Sequence, residues 1–79
     1  MTIRILGAGC PRCRLLEENT RKAVNELGIE CEIEKITDPD EIMEYGIMMT
    51  PGFAIDKTVK SAGKVLTANQ IKEMIVKND

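Results

Sequence analysis

Cys10 and Cys13, in the stretch LGAGCPRCRLLEEN, are two thiols separated by a proline and an arginine. Such a pair can hold a soft metal, cross-link the chain, or pass between dithiol and disulfide. If Cys10 caps a helix and Cys13 lies one turn in, the Cys10 sulfur meets unpaired backbone N–H groups and the positive end of the helix dipole. Arg12 and Arg14 add positive charge nearby. These are surroundings expected to tune the Cys10 pKa below the free value of roughly 8.5. A stabilised thiolate attacks a partner disulfide and also leaves readily, so Cys10 is expected as the nucleophile. Cys13 is expected to keep a higher pKa, stay protonated until needed, and then resolve the mixed disulfide as a Cys10–Cys13 disulfide.

The alternatives are weaker. A structural cross-link across so short a loop removes little chain entropy. A closed zinc site wants four ligands, whereas the chain has no histidine and only Cys31 as a further thiol. Copper(I) accepts fewer thiolates, so a carrier of a soft metal on Cys10 and Cys13 is the second reading. An inert apolar pair is disfavoured by the glycines, proline and arginine around it, which suit an exposed loop better than a core.

The elements that must position this pair are legible. Thr2 to Leu6 reads as a strand, and Gly7, Ala8 and Gly9 allow a sharp turn. Pro11 suits the first helical turn. From Pro11 to Leu27, Leu15, Leu16, Ala23, Val24 and Leu27 fall near one face, with Gly28 as a left-handed stop. IECEIEKI alternates as a half-buried strand, with Ile29, Cys31 and Ile33 facing the core and Glu30, Glu32 and Glu34 facing solvent. Cys31 is therefore expected to be a core position outside the mechanism. Asp38, Pro39 and Glu41 open a short helix that should reach about Tyr45 before Gly46 ends it. After Thr50 and Pro51, Gly52 to Asp56 forms an apolar strand, DKT a hairpin turn, and Val59 to Ala62 a second strand. Thr67 and Gln70 make a capping box for a last helix with Ile71, Met74 and Ile75 on one face. Met48 and Met49 are expected to fill core ahead of serving as contact surface.

The order β-α-β-α-β-β-α describes an α/β domain: a four-stranded mixed sheet flanked by helices, with the first two strands parallel and the last two an antiparallel hairpin. Its chemistry should gather beyond the carboxyl end of the first strand, where GAGCPRC falls. With 79 residues, 43% hydrophobic and 30% charged, the chain is expected to be one domain spanning residues 1–79. Eleven Lys and Arg against 13 Asp and Glu give a net charge of -2, with Tyr45 and Phe53 the only aromatics, so no nucleic-acid partner is expected. No segment reads as a signal peptide or membrane span, and a cytoplasmic protein with no membrane partner is expected.

C-P-R-C after the first strand, T-P before the third and a glycine after the fourth together resemble the thioredoxin/glutaredoxin superfamily. The chain is most similar to the small redox-active disulfide proteins, which are thioredoxin-like and of glutaredoxin size. The resemblance implies Cys10 as attacking thiol, Cys13 as resolving thiol, and Pro51 as a cis-proline facing them. It also implies substrate contact through the backbone of Thr50, paired in β fashion, and through Gly63 near the substrate groove. It implies a thiol–disulfide oxidoreductase acting on protein disulfides as a monomer, restored by a separate electron donor of the thioredoxin-reductase type. No bound cofactor is needed, since the electrons reside on the two sulfurs. C-P-R-C differs from the C-G-P-C of thioredoxins and the C-P-Y-C of glutaredoxins. SAGKV around Gly63 lacks the paired glycines and acidic residue with which glutaredoxins hold glutathione.

Overall fold

Ile3 and Ile5 alternate with Arg4 and Leu6, so strand β1 (Thr2–Leu6) presents one side chain set to each face of a sheet, and both sets are covered. A computed structural model describes residues 1–7 and 9–77. Ala8, placed by the sequence in the turn after β1, lies outside the described residues. The remaining elements are α1 (Pro11–Leu27), β2 (Glu32–Ile36), α2 (Pro39–Glu44), β3 (Gly52–Ile55), β4 (Thr58–Ala62) and α3 (Ala68–Val76). Strands lie in the order β2-β1-β3-β4, with β1 and β2 parallel and β3 antiparallel to both β1 and β4. This is the α/β element order and mixed sheet that the sequence predicts.

Two apolar clusters sandwich the sheet. On one face Ile3, Ile5, Phe53 and Ile55 meet Leu16, Ala23 and Val24 of α1 and Ile71 and Ile75 of α3. On the other, Leu6 and Ile36 meet Ile42 of α2, with Tyr45 and Ile47 packed at the margin. Burial of such side chains is the main term holding a chain of this size together.

The structure corrects several boundaries and faces. In α1 the buried stripe runs through Cys13, Leu16, Thr20, Ala23 and Val24, and Leu15 is 47% exposed. At 3.6 residues per turn Leu15 lies about 100° from Leu16, off the stripe. Thr20 takes its place at no polar cost, because its hydroxyl donates to the Leu16 carbonyl at 2.8 Å. The IECEIEKI strand begins only at Glu32, leaving Ile29 exposed and Cys31 partly buried at the sheet's edge. Strand β3 stops at Ile55 because Asp56 turns to φ 55°, a backbone that aspartate tolerates, and β4 starts one residue early at Thr58. The Asp56 carboxylate accepts from the Thr2 N–H at 3.0 Å and pins the hairpin to β1. Asp38 caps α2 by accepting from Asp40 N–H at 3.0 Å rather than through a box with Glu41. The reciprocal box forms at α3, where Thr67 and Gln70 exchange bonds of 3.0 and 3.2 Å.

Candidate active site

The site starts where β1 ends. Gly7 continues the parallel pairing by donating its N–H to the Ile36 carbonyl at 2.9 Å, and the chain then reaches Cys10. Cys10 is the N-cap of α1, with extended backbone (φ -70°, ψ 162°) and Pro11 at the first helical position. Its carbonyl accepts the first helical bond, from Arg14 N–H at 3.1 Å, and its sulfur accepts from Cys13 N–H at 3.3 Å. One turn of helix therefore sets both thiols on the same side of the N-terminus, Cys10 half-buried and Cys13 only 5% exposed. The sulfurs are 2.7 Å apart as free thiols.

Their environments push them in opposite directions. The Cys10 thiol is drawn below its ordinary pKa, chiefly by the hydrogen bond from the Cys13 side chain and then by the Cys13 backbone N–H. The Cys13 thiol is pushed up, first by burial and then by donating to Cys10. The expected tuning by the charges of Arg12 and Arg14 is not what leads here. The Arg12 guanidinium is committed elsewhere, donating from Nη2 to the Gly63 carbonyl at 2.8 Å. Arg14 lines a small cavity beside Cys13.

The second half of the site comes from the loop before β3. The Thr50–Pro51 peptide is cis, and Pro51 is fully buried while Thr50 is exposed. The Pro51 carbonyl accepts from Gly63 N–H at 2.8 Å. Gly63 holds φ +77°, and a Cβ added there would meet the Met49 side chain at 3.1 Å. Arg12, Gly63 and Pro51 are thus linked in series, tying the dithiol helix to the cis loop. The structure brings every expected site residue to this end of the sheet. Cys31, in contrast, sits beside Thr2 and Glu32 at the opposite end, its pKa raised mainly by burial.

Three features escaped the sequence reading. Gly7 does more than open a turn: a Cβ there would run into the Cys13 sulfur and approach Thr50 Cβ at 3.8 Å. Its smallness makes room for the thiol. The signal was available as a glycine at the end of the strand feeding C-x-x-C, though nothing local tells a turn glycine from a clearance glycine. Glu17, not singled out from the sequence, lines a cavity of about 150 Å³ together with Cys13 and Lys35. Hydrogen bonds from Arg21, and the Lys35 ammonium 3.6 Å away, hold its carboxyl below the usual carboxylate range. Met48 and Met49 are not core: they are 98% and 63% exposed, and Met43 is 71% exposed. Ile47, next to them, turns inward toward Leu6 and Ile42. Around it Pro39, Met43, Met48 and Thr50 border an apolar depression of about 420 Å³.

The opposed acidities set a measurable order of reactivity. Only a thiolate alkylates quickly, so a lowered Cys10 pKa keeps its rate high as pH falls through the range where an ordinary cysteine is already protonated. Alkylation by iodoacetamide, read by peptide mass, is expected to modify Cys10 first at neutral pH, by at least about tenfold over Cys13. Equal rates for Cys10 and Cys31 across pH 6–8 would contradict the geometry.

Among the described residues no three His, Cys, Asp or Glu side chains gather as a metal-ligating group, and no helix is long and apolar enough to cross a membrane. A family profile described as thioredoxin domain matches residues 1–76. The chain is 45% identical over 75 residues to a thioredoxin of Methanothermobacter thermautotrophicus, covering 95% of this chain and 97% of that protein. It is 48% identical over 73 residues to a thioredoxin of Methanocaldococcus jannaschii, covering 92% and 84% respectively. Among solved structures, one titled "Structure of a malarial protein" shares the fold with a TM-score of 0.70 at 13% identity, covering 96% of this chain and 93% of that one.

Proposed function

This chain belongs to the thioredoxin-domain family and is a thiol–disulfide oxidoreductase, and from that premise we propose that it reduces protein disulfides through Cys10 and Cys13. The observation that carries the reading is the pair of sulfurs 2.7 Å apart at a helix N-terminus, the half-buried one with its pKa lowered and the buried one with its pKa raised.

The Cys10 thiolate attacks one sulfur of the substrate disulfide. A Cys10–substrate bond forms, the substrate S–S bond breaks, and the released thiolate takes a proton from water. Bonding to substrate removes the Cys10 negative charge. Cys13 then gives its proton to water and attacks the Cys10 sulfur: the Cys10–Cys13 bond forms, the Cys10–substrate bond breaks, and the second substrate thiolate leaves and takes up a proton. Two electrons have passed to the substrate, and the chain holds a Cys10–Cys13 disulfide. Both sulfurs sit on the first turn of α1, so the resolving attack stays within one helical turn. Thr50 offers its backbone to an extended substrate segment, with Pro51 and Gly63 shaping the floor. The neighbouring apolar depression and exposed methionines suit an adaptable polypeptide contact. An electron donor of the thioredoxin-reductase type returns the chain to the dithiol. The reading takes residues 1–79 as one domain, acting as a cytoplasmic monomer.

A redox titration of the metal-free protein tests this, with alkylated thiols counted by intact mass at each thiol/disulfide ratio. The expected result is one reversible two-thiol transition at Cys10 and Cys13, with Cys31 always alkylated. A native mass showing a retained copper ion that blocks alkylation of both thiols, with no reversible disulfide, would replace this reading with the soft-metal carrier.

A further inference from the structure

Strand β4 is at the edge of the sheet, and its pairing with β3 skips one residue: Phe53 faces Ser61 and Ala54 faces Val59, leaving Lys60 as the extra residue of a bulge. Bulges re-aim side chains next to functional sites. Here Lys60 borders an open groove of about 610 Å³ whose other walls include Arg12, Ser61, Lys64, Gln70 and Met74. No carboxylate lines that groove among the described residues, although the chain as a whole carries a net charge of -2. The ion pairs among the described residues use Arg4, Arg21, Lys35 and Lys72, so the Lys60 and Lys64 ammonium groups remain unpaired there. Arg12, between the two cysteines in sequence, joins the groove to the dithiol turn through its bond to the Gly63 carbonyl. The result is a patch of one sign, joined to the dithiol turn by Arg12, on a chain of the opposite sign.

We propose that this groove docks an acidic segment of the disulfide-bearing polypeptide, with Lys60 and Lys64 selecting substrates that carry Asp or Glu close to the target cysteine. The inference rests on the disulfide-reductase reading above and adds the substrate's charge to it. Complementary charge acts mainly on encounter and on rejection of wrong partners, and it weakens with salt. No aromatic side chain lines the groove, which removes a stacking platform for nucleic acid. A lysine on an edge strand also discourages pairing with other chains, but that role is indifferent to substrate charge.

The test uses pre-reduced full-length protein in single turnover with two peptides of identical disulfide loop, one flanked by Asp and Glu and the other by Lys. At low ionic strength the acidic peptide is expected to react about tenfold faster, with the ratio falling toward one in high salt. In K60E/K64E the ratio is expected to invert. Because the ratio is taken within one protein preparation, a partly unfolded variant does not mimic the effect. Equal rates on both peptides in the wild-type chain, or an unchanged ratio in the double variant, would overturn the docking while leaving the disulfide chemistry standing. Failure to reduce either peptide would overturn both.

Discussion

Cys10→Ser is expected to abolish protein-disulfide reduction, lowering the rate roughly a thousandfold or more, because a serine hydroxyl at neutral pH supplies neither the nucleophile nor the leaving group. The substitution changes one atom at a half-buried helix cap, and serine is itself a favoured N-cap residue, so the fold should be retained. Cys13→Ser separates the two roles. Cys10 can still attack, but nothing within the chain releases the product, so a mixed disulfide should accumulate at Cys10 and appear by mass as chain plus substrate. That variant also removes the S–H that leads the acidification of Cys10, leaving the backbone N–H bonds to act alone. Its Cys10 alkylation profile should therefore move toward higher pH. A Cys10→Ser protein that reduces insulin or a disulfide peptide at the native rate would refute the assignment, as would a Cys13→Ser protein that traps nothing.

Gly7→Ala carries the second large effect. The added Cβ would overlap the Cys13 sulfur, a short side chain held on the first turn of a helix with little freedom to retreat. Overpacking of this kind costs roughly 1–3 kcal/mol, and for a chain of this size each kcal/mol lowers Tm by about 4–8 °C. The Cys13 sulfur is also displaced from its position 2.7 Å from Cys10, so resolution should slow and the mixed disulfide persist. Gly52→Ala is the control. Its Cβ would meet Ile47 Cδ1 at 2.6 Å and Leu6 Cβ at 3.1 Å, within the apolar cluster on the α2 side of the sheet. It is expected to lower Tm without prolonging the mixed disulfide. If both alanine variants lose stability equally and neither prolongs it, Gly7 matters for packing alone.

Much of the fold was legible because local rules and tertiary demands agree. The Thr67 and Gln70 capping box and the order of all seven elements follow from spacing and propensity, and the structure contains them. The misreadings occur where burial depends on a distant partner. Alternation in IECEIEKI is real, but β2 is an edge strand that begins only at Glu32, so Ile29 stays in the connection from α1 and is exposed. Leu15 is exposed where the wheel puts it inside, and Thr20 is buried instead, for a related reason. A helical wheel marks apolar residues, whereas the stripe that is covered is set by where β1, β3 and α3 lie, and a threonine bonded to its own helix can sit there. Met48 and Met49 look like core by composition, yet they fall between Ile47 and Pro51, both of which turn inward and leave the methionines outside.

The sequence by itself determined the chemistry available: two thiols one helical turn apart, a proline to start that turn, and a strand to deliver them. Those are local relations, and a 3.6-residue period converts C-x-x-C into neighbouring sulfurs whatever surrounds it. Only the tertiary structure decided how the two thiols differ and what faces them. The raised pKa of Cys13 comes first from burial, and its room comes from Gly7, just past the end of β1. The link from Arg12 through Gly63 to Pro51 joins residues up to 51 positions apart. Burial and clearance belong to the packed sheet and helices, and no stretch of sequence carries them alone.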